Sequence, residues 1–287
     1  MPELPEVQTT VDGLNKKVLG KQIVDVRTTY NSLYHRGKDN IKDPKFFTLF
    51  RKIVRGQKII KIERRAKNIL IGLSNSYTVI VHMKMTGYFA YDRPLTKFVR
   101  LDFKLDNNRH LVLSDMRKFA KVTLMRTDEL EKSPHIKALG PEPLDKNFQY
   151  AEFKSQILKR PSGKIKQVLV DQSLIAGIGN IYSDEILWSS GVHPLSRTNH
   201  IPKKKLLKMF TAMKELLKQG IEFGGDSTSD YRNIEGEKGN FQNQHKAYHQ
   251  TGRVCLKKKC DGVIKRLVVG ARSAHFCPVH QELFADR

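Results

Sequence analysis

Two groups of residues in this chain have types and spacings that could do chemistry. The first is the N-terminal run Met1-Pro2-Glu3-Leu4-Pro5-Glu6. Methionine is readily removed before proline, which would leave Pro2 as a free secondary amine. An α-amine titrates near 7.7–8.0, against about 10.4 for lysine, so roughly a tenth of it is unprotonated at neutral pH. Such an amine can attack an electrophilic carbon and form a charged iminium, the lysine Schiff-base strategy without a buried lysine. Glu3 is adjacent and could act as general acid. Alone, Pro-Glu at an N-terminus is commonplace and carries little weight. The second group is Cys255-x4-Cys260, sixteen residues, then Cys277-x2-His280. Two close pairs of soft ligands on tight turns suit one tetrahedral zinc, and four fixed ligands leave no open position, so this metal would be structural. The x4 spacing is wider than the usual x2, and His275 competes with His280 for the fourth place.

The elements that must position these groups show in the hydrophobic period. Val7, Val11, Leu14 and Val18 recur at helical spacing after the PELPE segment, with Glu3 and Glu6 at the positive end of the helix dipole. From Ile23 to about Arg126 the dominant period is two. Val99, Leu101, Phe103 and Leu105 alternate with Arg100, Asp102 and Lys104, as in a half-buried strand. Asp106–Arg109 reads as a turn and His110–Leu113 as the return strand; Ile69–Leu73 and Tyr77–His82 form another hairpin. Hairpins without intervening helices imply an antiparallel sandwich or barrel. The period then changes. Phe153–Leu158, Ile165–Val170, Asp184–Ser190 and Lys203–Gln219 read as helices, the last stopped by Gly220. Residues 224–239 are a Gly- and Ser-rich loop of the long kind that usually carries function. The expected domains are 1–140, a linker over 141–150, a helical domain over 151–244 and a terminal hairpin over 245–287.

Charge narrows the partner. Fifty-two Lys and Arg against 29 Asp and Glu give a net charge of +23. That excess costs self-repulsion, and a polyanion is the natural partner, nucleic acid first among them. The N-terminus lacks the basic and apolar runs of a signal peptide, and no stretch approaches 18 uninterrupted apolar residues. Three cysteines argue against a secreted disulfide framework. A cytoplasmic, DNA-containing compartment fits, with no membrane partner.

The motifs MPELPEV, ERRAKN, HMKMTG, DMRKF, LGPEPL, IAGIGNIYSDE and GVHP, followed by the cysteine hairpin, run in one order along the whole chain. This series resembles the formamidopyrimidine-DNA glycosylases. Leu4 favours that branch over the sister endonuclease VIII branch, which usually begins PEGPE. The resemblance implies an α+β fold: an N-terminal antiparallel β-sandwich with an N-terminal helix, then a helix–two-turn–helix domain ending in a zinc-binding β-hairpin. It also implies a monomeric, bifunctional glycosylase and abasic-site lyase. Its partner would be duplex DNA containing oxidised bases or abasic sites, with 8-oxoguanine and formamidopyrimidines as main substrates.

The roles implied are as follows. Pro2 attacks C1′ of the damaged nucleotide, Glu3 protonates the deoxyribose ring oxygen, Glu6 supports the pocket and Lys67 holds a phosphate near the lesion. β- then δ-elimination cuts the strand. The nucleotide must leave the stack, and Met85, Arg117 and Phe119 fill the void, Arg117 facing the orphaned base. Asn180, at the start of a helix, and Arg272 grip phosphates, and Lys166 matches a further family lysine counted among the DNA-binding residues. Glu185 matches a helix residue near the junction with the N-terminal domain. Residues 229–241 correspond to the loop that caps the flipped base, with Ser229 and Tyr231 as contacts. Zinc would sit on Cys255, Cys260, Cys277 and His280. Two departures stand beside the void fillers: Met116 replaces a usual proline and Lys84 a usual glycine. An endonuclease VIII preference for oxidised pyrimidines, and a non-catalytic DNA-binding module on the same scaffold, remain alternatives.

Overall fold

The computed structural model describes residues 1–93 and 97–285, which fall into two compact units. Unit 1 comprises Met1–Lys137 and Phe223–Asn240; unit 2 comprises Ala138–Glu222 and the chain from Phe241 onward.

Unit 1 opens with helix α1 (Leu4–Val18), which starts earlier than its apolar period suggests because the N-terminal acids cap it. Glu3 is the N-cap, and Glu3 and Glu6 close a reciprocal capping box. Lys16 and Lys17 in the last turn complement the other end of the dipole. Two four-stranded antiparallel sheets follow. One has the order β1 (Ile23–Thr28), β6 (Val99–Leu105), β7 (His110–Asp115), β5 (Gly87–Tyr91); the other runs β2 (Ile59–Arg65), β3 (Asn68–Leu73), β4 (Tyr77–His82), β8 (Lys121–Arg126). Val26, Leu101, Phe103 and Leu113 from the first sheet and Ile62, Ile71, Val79 and Val81 from the second share one core with Val7, Val11 and Leu14 of α1. This is the expected sandwich.

Two expectations about it need correction. A helix interrupts the hairpins: α2 (Pro44–Val54) lies between β1 and β2. Asp43 caps it through the Lys45 amide (3.0 Å), Pro44 supplies the first turn, and Phe50 and Val54, four residues apart, reach the core. β6 is also not half-buried, since Arg100 and Asp102 on its second face are covered too. Arg100 Nε donates to the Asp115 carbonyl (2.9 Å), and Asp102 pairs with His110 Nδ1 (2.7 Å). Partners on neighbouring strands let charged residues occupy a covered face. Segment 223–240, expected with the helical domain, packs in unit 1: the Ile234 carbonyl accepts from the Tyr91 amide (2.9 Å), and the Ile234 side chain enters the core.

After the short helix α3 (Pro134–Lys137), unit 2 contains α4 (Tyr150–Leu158), α5 (Ile165–Val170), α6 (Asn180–Ser190), α7 (Lys203–Glu222) and the hairpin β9 (Lys265–Val269)–β10 (Arg272–Phe276). Gly220 does not stop α7, which continues to Glu222. A Cβ at 220 would overlap the Tyr182 hydroxyl, so this glycine admits close packing of α6 on α7.

Candidate active site and metal centre

The nucleophile candidate and its acids lie at the start of α1. Pro2, Glu3 and Glu6 are all buried. Glu6 is the hub: Oε2 accepts the Glu3 amide (2.7 Å) and Oε1 accepts the Asp226 amide (2.8 Å) from segment 223–240. Burial, then the charge of Glu3, push the Glu6 carboxyl up to about 7, against the pull of the two amides.

Sheet register gathers a second set at one end of the sandwich. Asn68 pairs with His82, and His82 pairs with Lys121. The β2–β3 turn carrying Lys67, the β4–β5 loop carrying Met85 and the β7–β8 loop carrying Arg117 and Phe119 therefore leave the sheets together. Lys67 is buried in its turn. Ala66 before it has φ +54°, and its carbonyl accepts from Arg64 Nη1 (3.1 Å), while Arg64 Nε holds Gln8 of α1 (2.9 Å). Met85, Arg117 and Phe119 are exposed. Arg117 bridges the other two, with Nη1 3.2 Å from the Met85 sulfur and its guanidinium 4.7 Å over the Phe119 ring.

Sequence reasoning missed the residue that ties these loops. Asp115 is fully buried, and its carboxylate accepts from the Thr86 hydroxyl (2.5 Å) and the Ala120 amide (2.7 Å). Thr86 Oγ1 accepts the Arg117 amide in turn (3.0 Å). The DMRKF motif contains Asp115, but only its three-dimensional partners distinguish it from any strand-end acid.

Of the two capping-loop candidates, Ser229 is exposed and Tyr231 is buried, its phenol pushed up by burial. Tyr231 therefore packs inside unit 1, while Ser229 faces solvent.

In unit 2, Asn180 opens α6 with Gly179 as N-cap. Its Nδ2 donates to Ser273 Oγ (3.3 Å), next to the exposed Arg272 at the start of β10. Beneath them Lys166 and Asp184 are fully buried. Lys166 Nζ donates to the Asn180 carbonyl (3.0 Å), Ser183 Oγ (2.8 Å) and Asp184 Oδ1 (2.5 Å). Asp184 Oδ2 accepts from the His275 amide (3.0 Å) and lies 2.8 Å from its Nδ1. Lys166, expected to meet DNA, is thus committed inside the unit, where it fixes the α6 start against the hairpin. An interior lysine needs this full set of acceptors. Glu185, expected near the junction, binds within unit 2: it accepts the amides of Lys246, Ala247 and Tyr248 (3.0, 3.0 and 2.8 Å).

Cys255, Cys260, Cys277 and His280 bring their ligand atoms within 4.8 Å of one another. The Cys260–Cys277 sulfur separation is 3.6 Å, and His280 Nδ1 lies 3.2 Å from Cys255 Sγ and 4.0 Å from Cys260 Sγ. Zinc–ligand bonds of about 2.0–2.3 Å in a tetrahedron give edges of roughly 3.3–3.8 Å, close to these separations, so the donor set fits. His280 Nε2 lies 3.0 Å from the Trp188 carbonyl, a pure acceptor, which leaves the Nδ1 lone pair toward the thiols. His275, held by Asp184 through Nδ1, is not one of the residues whose ligand atoms converge there, so His280 takes the fourth place.

Residues 1–122 match the family model of the formamidopyrimidine-DNA glycosylase N-terminal domain, and residues 139–232 match that of the formamidopyrimidine-DNA glycosylase H2TH domain. The chain is 38% identical over 284 residues to the formamidopyrimidine-DNA glycosylase of Herpetosiphon aurantiacus, covering 98% of this chain and 100% of that protein. It is similar to a Lactococcus lactis Fpg mutant solved with Fapy-dG-containing DNA (TM-score 0.86, 32% identity, 98% of this chain and 100% of that one). It is equally similar to wild-type Lactococcus lactis Fpg solved with DNA containing an oxidised pyrimidine (TM-score 0.85, 32% identity, the same coverage). Among the described residues, no helix is long and apolar enough to cross a membrane.

Proposed function

The chain belongs to the formamidopyrimidine-DNA glycosylase family, and on that premise we propose that it excises oxidised purines from duplex DNA through the amine of Pro2 and then cuts the strand. Family membership makes it a DNA glycosylase of base excision repair. The finer reading assigns it 8-oxoguanine and formamidopyrimidines as substrates. The substrate reading is supported by the relatives named formamidopyrimidine-DNA glycosylase and the one solved with Fapy-dG DNA; the observation that carries the Pro2 chemistry is the buried cluster at the start of α1, where Pro2 and Glu3 precede the raised carboxyl of Glu6.

The chemistry follows from those groups. Once Met1 is gone, the Pro2 nitrogen attacks C1′, the glycosidic bond breaks and the base leaves. Glu3 protonates the ring oxygen, the sugar opens, and the Pro2 nitrogen is left in a charged iminium after losing its own proton. That cation is an electron sink, so the C2′ proton becomes acidic and β-elimination expels the 3′ phosphate; δ-elimination then expels the 5′ phosphate. Lys67, Asn180 and Arg272 hold phosphates as charged or amide donors. Met85, Arg117 and Phe119, already assembled by mutual contact, enter the vacated stack at little cost in ordering. Cys255, Cys260, Cys277 and His280, whose ligand atoms converge, would hold a structural zinc that fixes the hairpin bearing Arg272. A preference for oxidised pyrimidines is the second reading, supported by the relative solved with such DNA.

Borohydride trapping on an abasic duplex tests the mechanism. A covalent adduct is expected with the processed chain and none when an uncleaved N-terminal tag blocks the amine; an undiminished adduct from the tagged chain overturns the role of Pro2. Faster excision of thymine glycol than of 8-oxoguanine would overturn the substrate assignment in favour of the second reading.

A further inference from the structure

Lys84 stands where the backbone asks for glycine. Its φ is +57°, a left-handed conformation that penalises any residue with a Cβ and costs glycine nothing. The turn cannot relax easily. The Gly87 amide closes it onto the Met83 carbonyl (3.1 Å), and the Lys84 amide donates to His82 Nδ1 (3.0 Å). The side chain therefore has to supply something the backbone does not.

Its surroundings say what that is. Lys84 immediately precedes the exposed Met85. Two further cations share its corner of unit 1. Lys42 is largely buried, with its ammonium on the Lys118 carbonyl (2.7 Å) and 5.3 Å from the centre of the Tyr30 ring. Lys121 pairs in register with His82. Burial pushes both ammonium groups down: at Lys42 the charge of Asp115 opposes this and Lys84 adds a smaller push in the same direction, while at Lys121 the charge of Lys84 comes second and Asp39 opposes it. Burial and the same lysine hold His82 near 3, so it stays neutral and supplies no charge of its own. Lys42 and Lys121 on either side of the turn both feel the charge of Lys84, and a corner of this one sign is a place an anion would suit.

We propose that Lys84 binds a backbone phosphate of the duplex beside the Met85 wedge, in a positive field completed by Lys42 and Lys121. The proposal rests on the reading of the chain as a lesion-DNA enzyme, and it adds a contact at a position where the family usually has glycine. The contact is electrostatic and independent of base sequence.

Binding of a duplex carrying a tetrahydrofuran abasic analogue, measured by fluorescence anisotropy between 50 and 200 mM salt, tests it with Lys84→Gly and Lys84→Arg. Lys84→Gly should flatten the log–log salt dependence by about 0.9, the loss of one phosphate contact. Its affinity at the lowest salt should fall roughly five- to tenfold. The same variant should melt about 2–4 °C higher, because glycine relieves the positive φ. Lys84→Arg should keep the unsubstituted slope. An unchanged slope in Lys84→Gly overturns the phosphate contact whatever the melting shift. Absence of salt-dependent binding by the unsubstituted chain would instead overturn the DNA reading and this proposal with it.

Discussion

Replacing Glu6 by Gln isolates the titration at the centre of the N-terminal cluster. Glu6 is buried, and its carboxyl is raised from 4.5 to about 7 by desolvation first and by Glu3 second. A group whose pKa is raised on folding contributes stability while protonated in the folded state. That stability is fully present below the unfolded value near 4.5 and is lost as pH rises through about 7. At about 1.36 kcal/mol per pKa unit, the shift corresponds to about 3 kcal/mol across that window. Glutamine carries no charge at any pH, so the variant lacks this term. It does place an NH2 group against one of the two amides that Glu6 accepts, from Glu3 and Asp226. That mismatch costs roughly 1–3 kcal/mol and is independent of pH. The diagnostic quantity is therefore the change with pH of the stability difference between the two proteins. Urea unfolding from pH 4.5 to 8 should show Glu6→Gln gaining about 3 kcal/mol on the parent as pH rises. Carbon-detected NMR should place the Glu6 carboxyl midpoint near 7. Parallel stability curves, with a carboxyl midpoint below 5, would refute the reasoning.

Other perturbations follow from the same geometry. Asp184→Asn leaves the buried Lys166 ammonium without its counter-charge; a loss of about 3 kcal/mol, seen as a melting temperature lower by about 8 °C, is expected, and a shift under about 2 °C would count against the network. Cys277→Ala removes one of four ligands, so metal analysis should find the zinc gone and anisotropy should find DNA affinity sharply reduced; full binding by metal-free protein would contradict a structural role. Gly220→Ala should destabilise by roughly 1–3 kcal/mol through overlap with Tyr182, whereas an ordinary mid-helix glycine gains about 1 kcal/mol from alanine; the urea midpoint decides the sign.

The sequence by itself determined the parts that depend on local spacing and covalent order. The PELPE acids at a helix start, the hairpins over 69–82 and 99–113, the helix Ile165–Val170 and the two ligand pairs of the metal centre are all set by neighbours a few residues away. Such features obey short periods and can be read from a chain alone. Other features were decided by what the fold laid opposite each residue. Lys166 reads as a surface lysine until Asp184 and the Asn180 carbonyl enclose it. Gly220 reads as a stop until the Tyr182 ring lies against it. Arg100 and Asp102 read as solvent-facing until Asp115 and His110 cover them. Asp115 gains its place under the void-filling loops only when β5 and β7 pair. Lys84 was visible as a substitution, but only the backbone showed that it sits at positive φ. Burial and long-range pairing set the energy of these groups, and both are properties of contacts between distant segments, which no local period encodes.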